Sequence, residues 1–139
     1  MTEDLDVERA LLGCFLMWNS TFCPIPAEDW SVEVHRSVYL TCEGLLKAQG
    51  GFDTLTVLDA LQGANMLESV GGAAYLSQLT SGVMKSMAPR YASIVKSKAK
   101  LRRLAKLLES AQEQAESGVE LNDILRELEI GLRSFRESK

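Results

Sequence analysis

Residues 94–135 read "IVKSKAKLRRLAKLLESAQEQAESGVELNDILRELEIGLRSF", and their spacing decides the fold class. Ile94, Ser97, Leu101, Leu104, Leu108, Ala111 and Ala115 recur at intervals of 3 and 4, the period of a heptad stripe on an α-helix. Gly118 interrupts the pattern. Leu121, Leu125, Leu128, Leu132 and Phe135 then resume it at 4, 3, 4 and 3. Two such helices joined by a short glycine turn predict an antiparallel helical hairpin, with the two leucine stripes as its internal seam. On this reading Leu101 is a core residue, and its truncation to alanine opens a cavity at a cost of about 2–5 kcal/mol. Pro89 suits the first turn of the long helix, where its missing N–H is not needed.

Upstream of the hairpin the helical patterns are shorter. "DLDVERALLGCFLMWN" puts Leu5, Leu12, Phe15 and Leu16 on one side, and its early acids suit a helix N-terminus. "TFCPIPAEDW" breaks the pattern with two prolines and predicts a loop with one helical turn at 27–30. "VHRSVYLTCEGLLKAQGG" is a second helix, ended by Gly50 and Gly51. "DTLTVLDALQ" is a third, capped by Asp53 or Thr54, and "MLESVGGAAYLSQL" holds a short turn, a glycine break and a fourth helix. Strand alternation and hairpin-turn dipeptides are nearly absent. The predicted class is all-α: a small multi-helix globular subdomain over residues 1–87, then a long antiparallel hairpin over 88–139.

With 139 residues the chain can bury roughly two-thirds of its unfolded surface, enough for a core without disulfide or metal. Its 46% hydrophobic and 24% charged content is that of a globular protein. No apolar run approaches the roughly 20 residues of a membrane span. The acidic start "MTEDLDVERA" is unlike a secretory or transit signal, so a cytoplasmic location is expected. Cys14 and Cys42 fall on apolar helical stripes and read as core residues, while Cys23, before Pro24, reads as partly exposed. Three cysteines without a C-x-x-C spacing and a single histidine, His35, predict no metal site.

Charge is unevenly placed. Residues 1–95 hold eleven acids and five bases, residues 96–106 six bases and no acid, and residues 107–139 eight acids and four bases. The basic run surrounds seam residues Leu101 and Leu104. One reading is a solvated helix face with exposed ion pairs, each worth under about 1 kcal/mol. A second is a contact surface for an acidic protein partner, and a third is phosphate binding. The net charge of −4 and the lack of aromatic residues among the bases weigh against strong DNA binding.

No P-loop, dinucleotide-binding glycine motif, nucleophile elbow or zinc-protease motif occurs, and no catalytic, cofactor or metal residue is assigned. Glu28 and Asp29 read as first-turn acids, Gly71–Gly72 as a tight turn between short helices, and His35 as a packing or hydrogen-bonding residue.

Five segments together resemble a known family: "VERALLG" at 7–13, "EDW" and "HRSVY" across 28–39, "FDTLTVLDAL" at 52–61, "LESVGGAAYLSQL" at 67–79 and "YASIVKSKAKLRRL" at 91–104. In this order and spacing the sequence resembles the N-terminal domain of DnaB-type replicative DNA helicases. The resemblance implies an all-helical globule followed by a helical hairpin, and hairpins that associate into dimers and a hexamer collar. It also implies docking of a DnaG-type primase or a helicase loader, with little direct DNA contact and no membrane contact. The ATPase of that family lies in a separate C-terminal domain, so no enzymatic activity is expected of these residues. A second reading is a stand-alone adaptor or inhibitor that imitates this domain and binds helicase or primase.

Val95, Leu107, Ile124 and Ile130 lie off the expected seam. A helix with a second apolar stripe needs a second partner, so these four are the expected subunit interface. Lys98, Arg102, Arg103 and Lys106 are the expected partner-docking residues. Charge reversal at Arg102 and Arg103 should weaken primase binding more than single-strand binding.

Overall fold

The computed structural model describes the backbone of residues 2–137 and the side chains of residues 4–136. Six α-helices and no strand occur among the described residues. They are α1 (Thr2–Met17), α2 (Glu33–Gln49), α3 (Thr54–Gly63), α4 (Gly72–Thr80), α5 (Ala88–Glu116) and α6 (Leu121–Glu137). Short 3-10 turns occupy Asn19–Thr21, Ala27–Asp29, Glu68–Val70 and Lys85–Met87. None of the described helices is long and apolar enough to cross a membrane.

Local chemistry accounts for the helix boundaries. Asp53 accepts the Thr56 N–H at 2.9 Å while the Thr56 hydroxyl accepts the Asp53 N–H at 2.8 Å, a reciprocal cap that starts α3. Gly50 ends α2 in the left-handed conformation at φ 81°, with its N–H on the Leu46 carbonyl. The α5–α6 turn follows the same rule. Gly118 has φ 81°, its N–H meets the Ala115 carbonyl, and the Val119 N–H reaches back to Gln114 at 3.0 Å.

The chain divides into two compact units, Met1–Lys96 and Ser97–Lys139. Residues 88–96 of α5 therefore belong with the first unit, nine residues beyond the boundary expected at 87. Ala92 and Val95 are buried in that unit's core, which recruits the start of the long helix. The core is built on an aromatic cluster. Phe22 stacks on Tyr39 with ring centroids 5.4 Å apart, Phe15 and Phe52 meet Phe22, and Trp30 lies against Phe15 and Tyr39. Tyr39 also accepts the Ile25 N–H at 2.9 Å and donates to Glu43, so its hydroxyl is satisfied as its ring is buried. Burial pushes that phenol up to about 12.

Helix α1 packs against α4 and α2. Gly13 permits the α1–α4 approach, because a Cβ there would stand 1.8 Å from the Leu79 carbonyl oxygen. Cys14 and Cys42 are fully buried and Cys23 half-buried. Burial raises all three thiols, Cys42 to about 12.

Candidate protein-docking face

The second unit differs from the expected hairpin in which face of each helix looks inward. Gly131 of α6 sits directly against Leu107 of α5; a Cβ on Gly131 would come within 2.7 Å of the Leu107 side chain. Ile124, seven residues before Gly131 and so on the same side of α6, is buried at 7% exposure. The guanidinium of Arg103 lies 5.9 Å from the Phe135 ring centroid, and Gln114 donates to Glu127 at 2.7 Å. Leu107 and Arg103 are half-buried, as befits residues between two helices.

Five of the seven leucines assigned to the seam face outward instead, and Leu104 and Leu128 are half-buried. Leu101, Leu108, Leu121, Leu125 and Leu132 are between 43% and 66% exposed. At about 100° per residue, the α5 stripe of Ser97, Leu101, Leu104, Leu108, Ala111 and Ala115 lies roughly a quarter-turn from the Leu107–Gln114 flank that meets α6. The α6 stripe of Leu121, Leu125, Leu128, Leu132 and Phe135 is likewise displaced from Ile124 and Gly131. Both stripes point to the same side. Ser97, Lys100, Leu101 and Leu104 of α5 and Leu132, Phe135 and Arg136 of α6 line one shared, mostly apolar groove. The result is a broad leucine face spanning both helices, open to solvent in the single chain.

The residues expected at a subunit interface distribute differently. Val95 is buried in the core of the first unit at 1% exposure, Ile124 is buried, and Leu107 covers Gly131. Only Ile130 is exposed, at 61%, and it lies on the side of α6 opposite the leucines, in a polar hollow with Gln114, Asp123 and Glu127. The heptad count identified the stripe correctly and misjudged its partner. A glycine at 131 removes the side chain that would hold the helices apart, so α6 settles on its Ile124–Gly131 flank and the leucines stay outside.

The basic residues also separate. Arg103 turns toward Phe135, Lys100 borders the leucine groove, Lys98 and Arg102 are half-buried on the opposite edge of the α5 stripe, and Lys106 is exposed. Lys98, Arg102 and Lys106, spaced four residues apart on α5, share one flank of that helix, whereas Arg103 lies on the side that meets α6.

Inside the first unit a polar network went unpredicted apart from its histidine. The Glu8 carboxylate accepts from His35 Nδ1 at 2.8 Å and from the Ser31 N–H at 3.1 Å, and His35 Nε2 meets the Tyr75 hydroxyl at 3.0 Å. Glu8 and His35 are 1% and 2% exposed. The network ties α1, α2 and α4 together, with Glu8 and His35 buried and Tyr75 half-buried at its outer end. Its three side chains come from "VERALLG", "HRSVY" and "LESVGGAAYLSQL". Among the described residues no three His, Cys, Asp or Glu side chains are placed to hold a metal ion.

Known proteins resemble this chain along most of its length. The family described as "DnaB-like helicase N terminal domain" matches residues 1–97. The chain is 31% identical to the replicative DNA helicase DnaB of Pasteurella multocida, over 99% of this chain and 31% of that protein. It is 30% identical to the replicative DNA helicase DnaB of Haemophilus influenzae, over 96% of this chain and 30% of that one. It thus spans about a third of the length of these relatives. Among solved structures, the N-terminal domain of DnaB helicase from Mycobacterium tuberculosis superposes with a TM-score of 0.84 at 28% identity, covering 93% of this chain and 96% of that one.

Proposed function

Since the chain belongs to the family of DnaB-like helicase N-terminal domains, we propose that it is the non-catalytic assembly and docking part of a replicative DNA helicase. In this reading the hairpin unit associates with a second copy through its leucine face, giving the dimer from which a hexamer collar is built. Docking of a DnaG-type primase or a helicase loader belongs to the same role, with the polar flanks of the hairpin as its surface.

One observation carries this reading: leucines 101, 108, 121, 125 and 132 stand exposed on one side of a two-helix unit. An apolar patch of this kind on a soluble surface marks a site for another protein. The face is self-complementary in chemistry, being mostly apolar on both helices, as a twofold interface requires.

The test is the mass of the protein in solution. Light scattering on the parent should give a dimer or larger. Replacing Leu101 and Leu125 with glutamate should give monomers with an unchanged circular dichroism spectrum, because neither side chain supports the chain's own core. An oligomer that survives both substitutions refutes the assignment of this face. For partner docking, reversal of Arg102 should weaken capture of a cognate primase more than it changes a single-strand DNA titration.

A further inference from the structure

A cavity of about 660 Å³ opens in the first unit between the loop that follows α1 and the start of α5. Ala88 and Ala92, both almost fully buried, give it a small apolar floor. Lys85, Lys96, Ser20 and Ser93 also line it, and so does the half-buried Cys23.

The charge of this cavity runs against that of the chain. Acids outnumber bases 19 to 15 in the sequence, yet no carboxylate lines the cavity. Among the described residues neither Lys85 nor Lys96 has an ion-pair partner. Lys85 is exposed to water, whereas Lys96 is half-buried. The Lys96 charge also reaches Cys23: burial raises that thiol, and the nearby ammonium opposes the rise. A cation drawn partly out of water without an opposite charge is held at a cost, which an anion in the cavity would remove.

Size and donors narrow the choice of anion. Small-molecule sites span roughly 300–1,000 Å³, so this one has room for a carbon skeleton as well as an ionic head. Two ammonium groups match a dianion. A phosphate monoester carries about −1.5 to −2 charges near neutral pH and offers three acceptor oxygens. The Ser20 and Ser93 hydroxyls add donors, while the Thr21 hydroxyl is already committed to the Trp18 carbonyl at 2.7 Å. No aromatic ring lines the cavity, so nothing there stacks on a nucleobase.

We propose that this cavity binds a small aliphatic phosphate monoester, its head held between Lys85 and Lys96 and its skeleton on the Ala88–Ala92 floor. The site lies wholly in the first unit, so it goes beyond the assembly role and does not depend on it.

Cys14 and Cys42 are fully buried, which leaves Cys23 as the thiol that a neutral reagent reaches in the folded chain. Its alkylation by iodoacetamide, followed by mass spectrometry, therefore reports whether the cavity is filled. The probe is glycerol 3-phosphate, set against sodium chloride and sodium malonate at matched ionic strength. For a Kd of about 1 mM, about 10 mM probe should slow alkylation about tenfold. An unchanged rate with the probe, or equal slowing by chloride or malonate, would overturn the proposal.

Lys85→Gln and Lys96→Gln together should abolish the protection with an unchanged circular dichroism spectrum, since neither lysine has an ion pair to lose. Lys47→Gln, on α2 outside the cavity, should behave as the parent. Protection that persists in the double variant would place the probe elsewhere and sink the assignment. A second readout needs no thiol. The probe should raise the melting temperature of the parent by a few degrees and leave that of the double variant where it was; equal shifts in both count against the site. The Leu101 and Leu125 substitutions, whatever they do to the mass, should leave the protection of Cys23 intact, which separates this site from the assembly role.

Discussion

Glu8 sits in the acidic first helix yet is almost wholly buried, and it stays there because His35 Nδ1 and the Ser31 N–H both point at its carboxylate. A buried carboxylate is costly unless it is paired and hydrogen-bonded. Glu8→Ala should therefore leave His35 and the Ser31 amide without their partner and destabilise the chain by about 3–5 kcal/mol, measured by urea unfolding. Tyr75→Phe removes only the outer hydroxyl and should cost about 1 kcal/mol. Asp53 gives a residue-scale pH effect. The Thr56 N–H and then the Thr56 hydroxyl hold its carboxyl below the ordinary value. A lowered carboxyl in the folded state stabilises above the unfolded value of about 4 and loses that contribution as pH falls through the folded value. Asp53→Ala should lower the melting temperature at pH 7, and the gap between parent and variant should close progressively below about pH 4.

At the scale of elements, two contacts of opposite kind set the packing. In the first unit, α1 and α4 meet backbone to backbone at Gly13. Gly13→Ala collides with a carbonyl that cannot rotate away, so its cost should lie at or above the top of the ~1–3 kcal/mol range for overpacking. In the second unit, α6 rests on Leu107 through Gly131, where the neighbour is a side chain able to shift. The leucine stripe has no such role within the chain. Leu101→Ala should change the stability of a dilute monomer by less than about 1 kcal/mol, well below the 2–5 kcal/mol expected of a seam residue. A loss as large as that would show the stripe to be internal after all.

For the whole molecule, stability should be unevenly divided. The first unit holds the aromatic cluster and the described core residues that pack around it, while the hairpin leaves most of its leucines wet. Hydrogen exchange should show amides of residues 11–16 and 38–42 protected longest, and those of 101–132 exchanging faster at concentrations where chains are single. Raising the concentration should slow exchange in 101–132 alone and lift the melting temperature, because association stabilises the folded state by mass action. Equal protection of both units in the dilute chain would contradict this division.

Much of this could be read from residue order. Helix positions follow from local rules that act within a few residues: the capping pair at Asp53, the left-handed glycines at 50 and 118, and the first-turn proline at 89. The family resemblance lay in five short segments, and three of them carry Glu8, His35 and Tyr75, although nothing in one dimension showed that these side chains meet. The same holds for the hairpin. A 3–4 spacing of leucines states that each helix has an apolar side in need of cover, and the amino-acid sequence determined that alone. Which body supplies the cover depends on how closely two helices can approach, and that was settled in three dimensions, by the missing side chain at Gly131 and the fit of Leu107 against it. Burial is a property of the packed chain, so the tertiary structure alone decided that Ile124 turns inward and Leu101 outward.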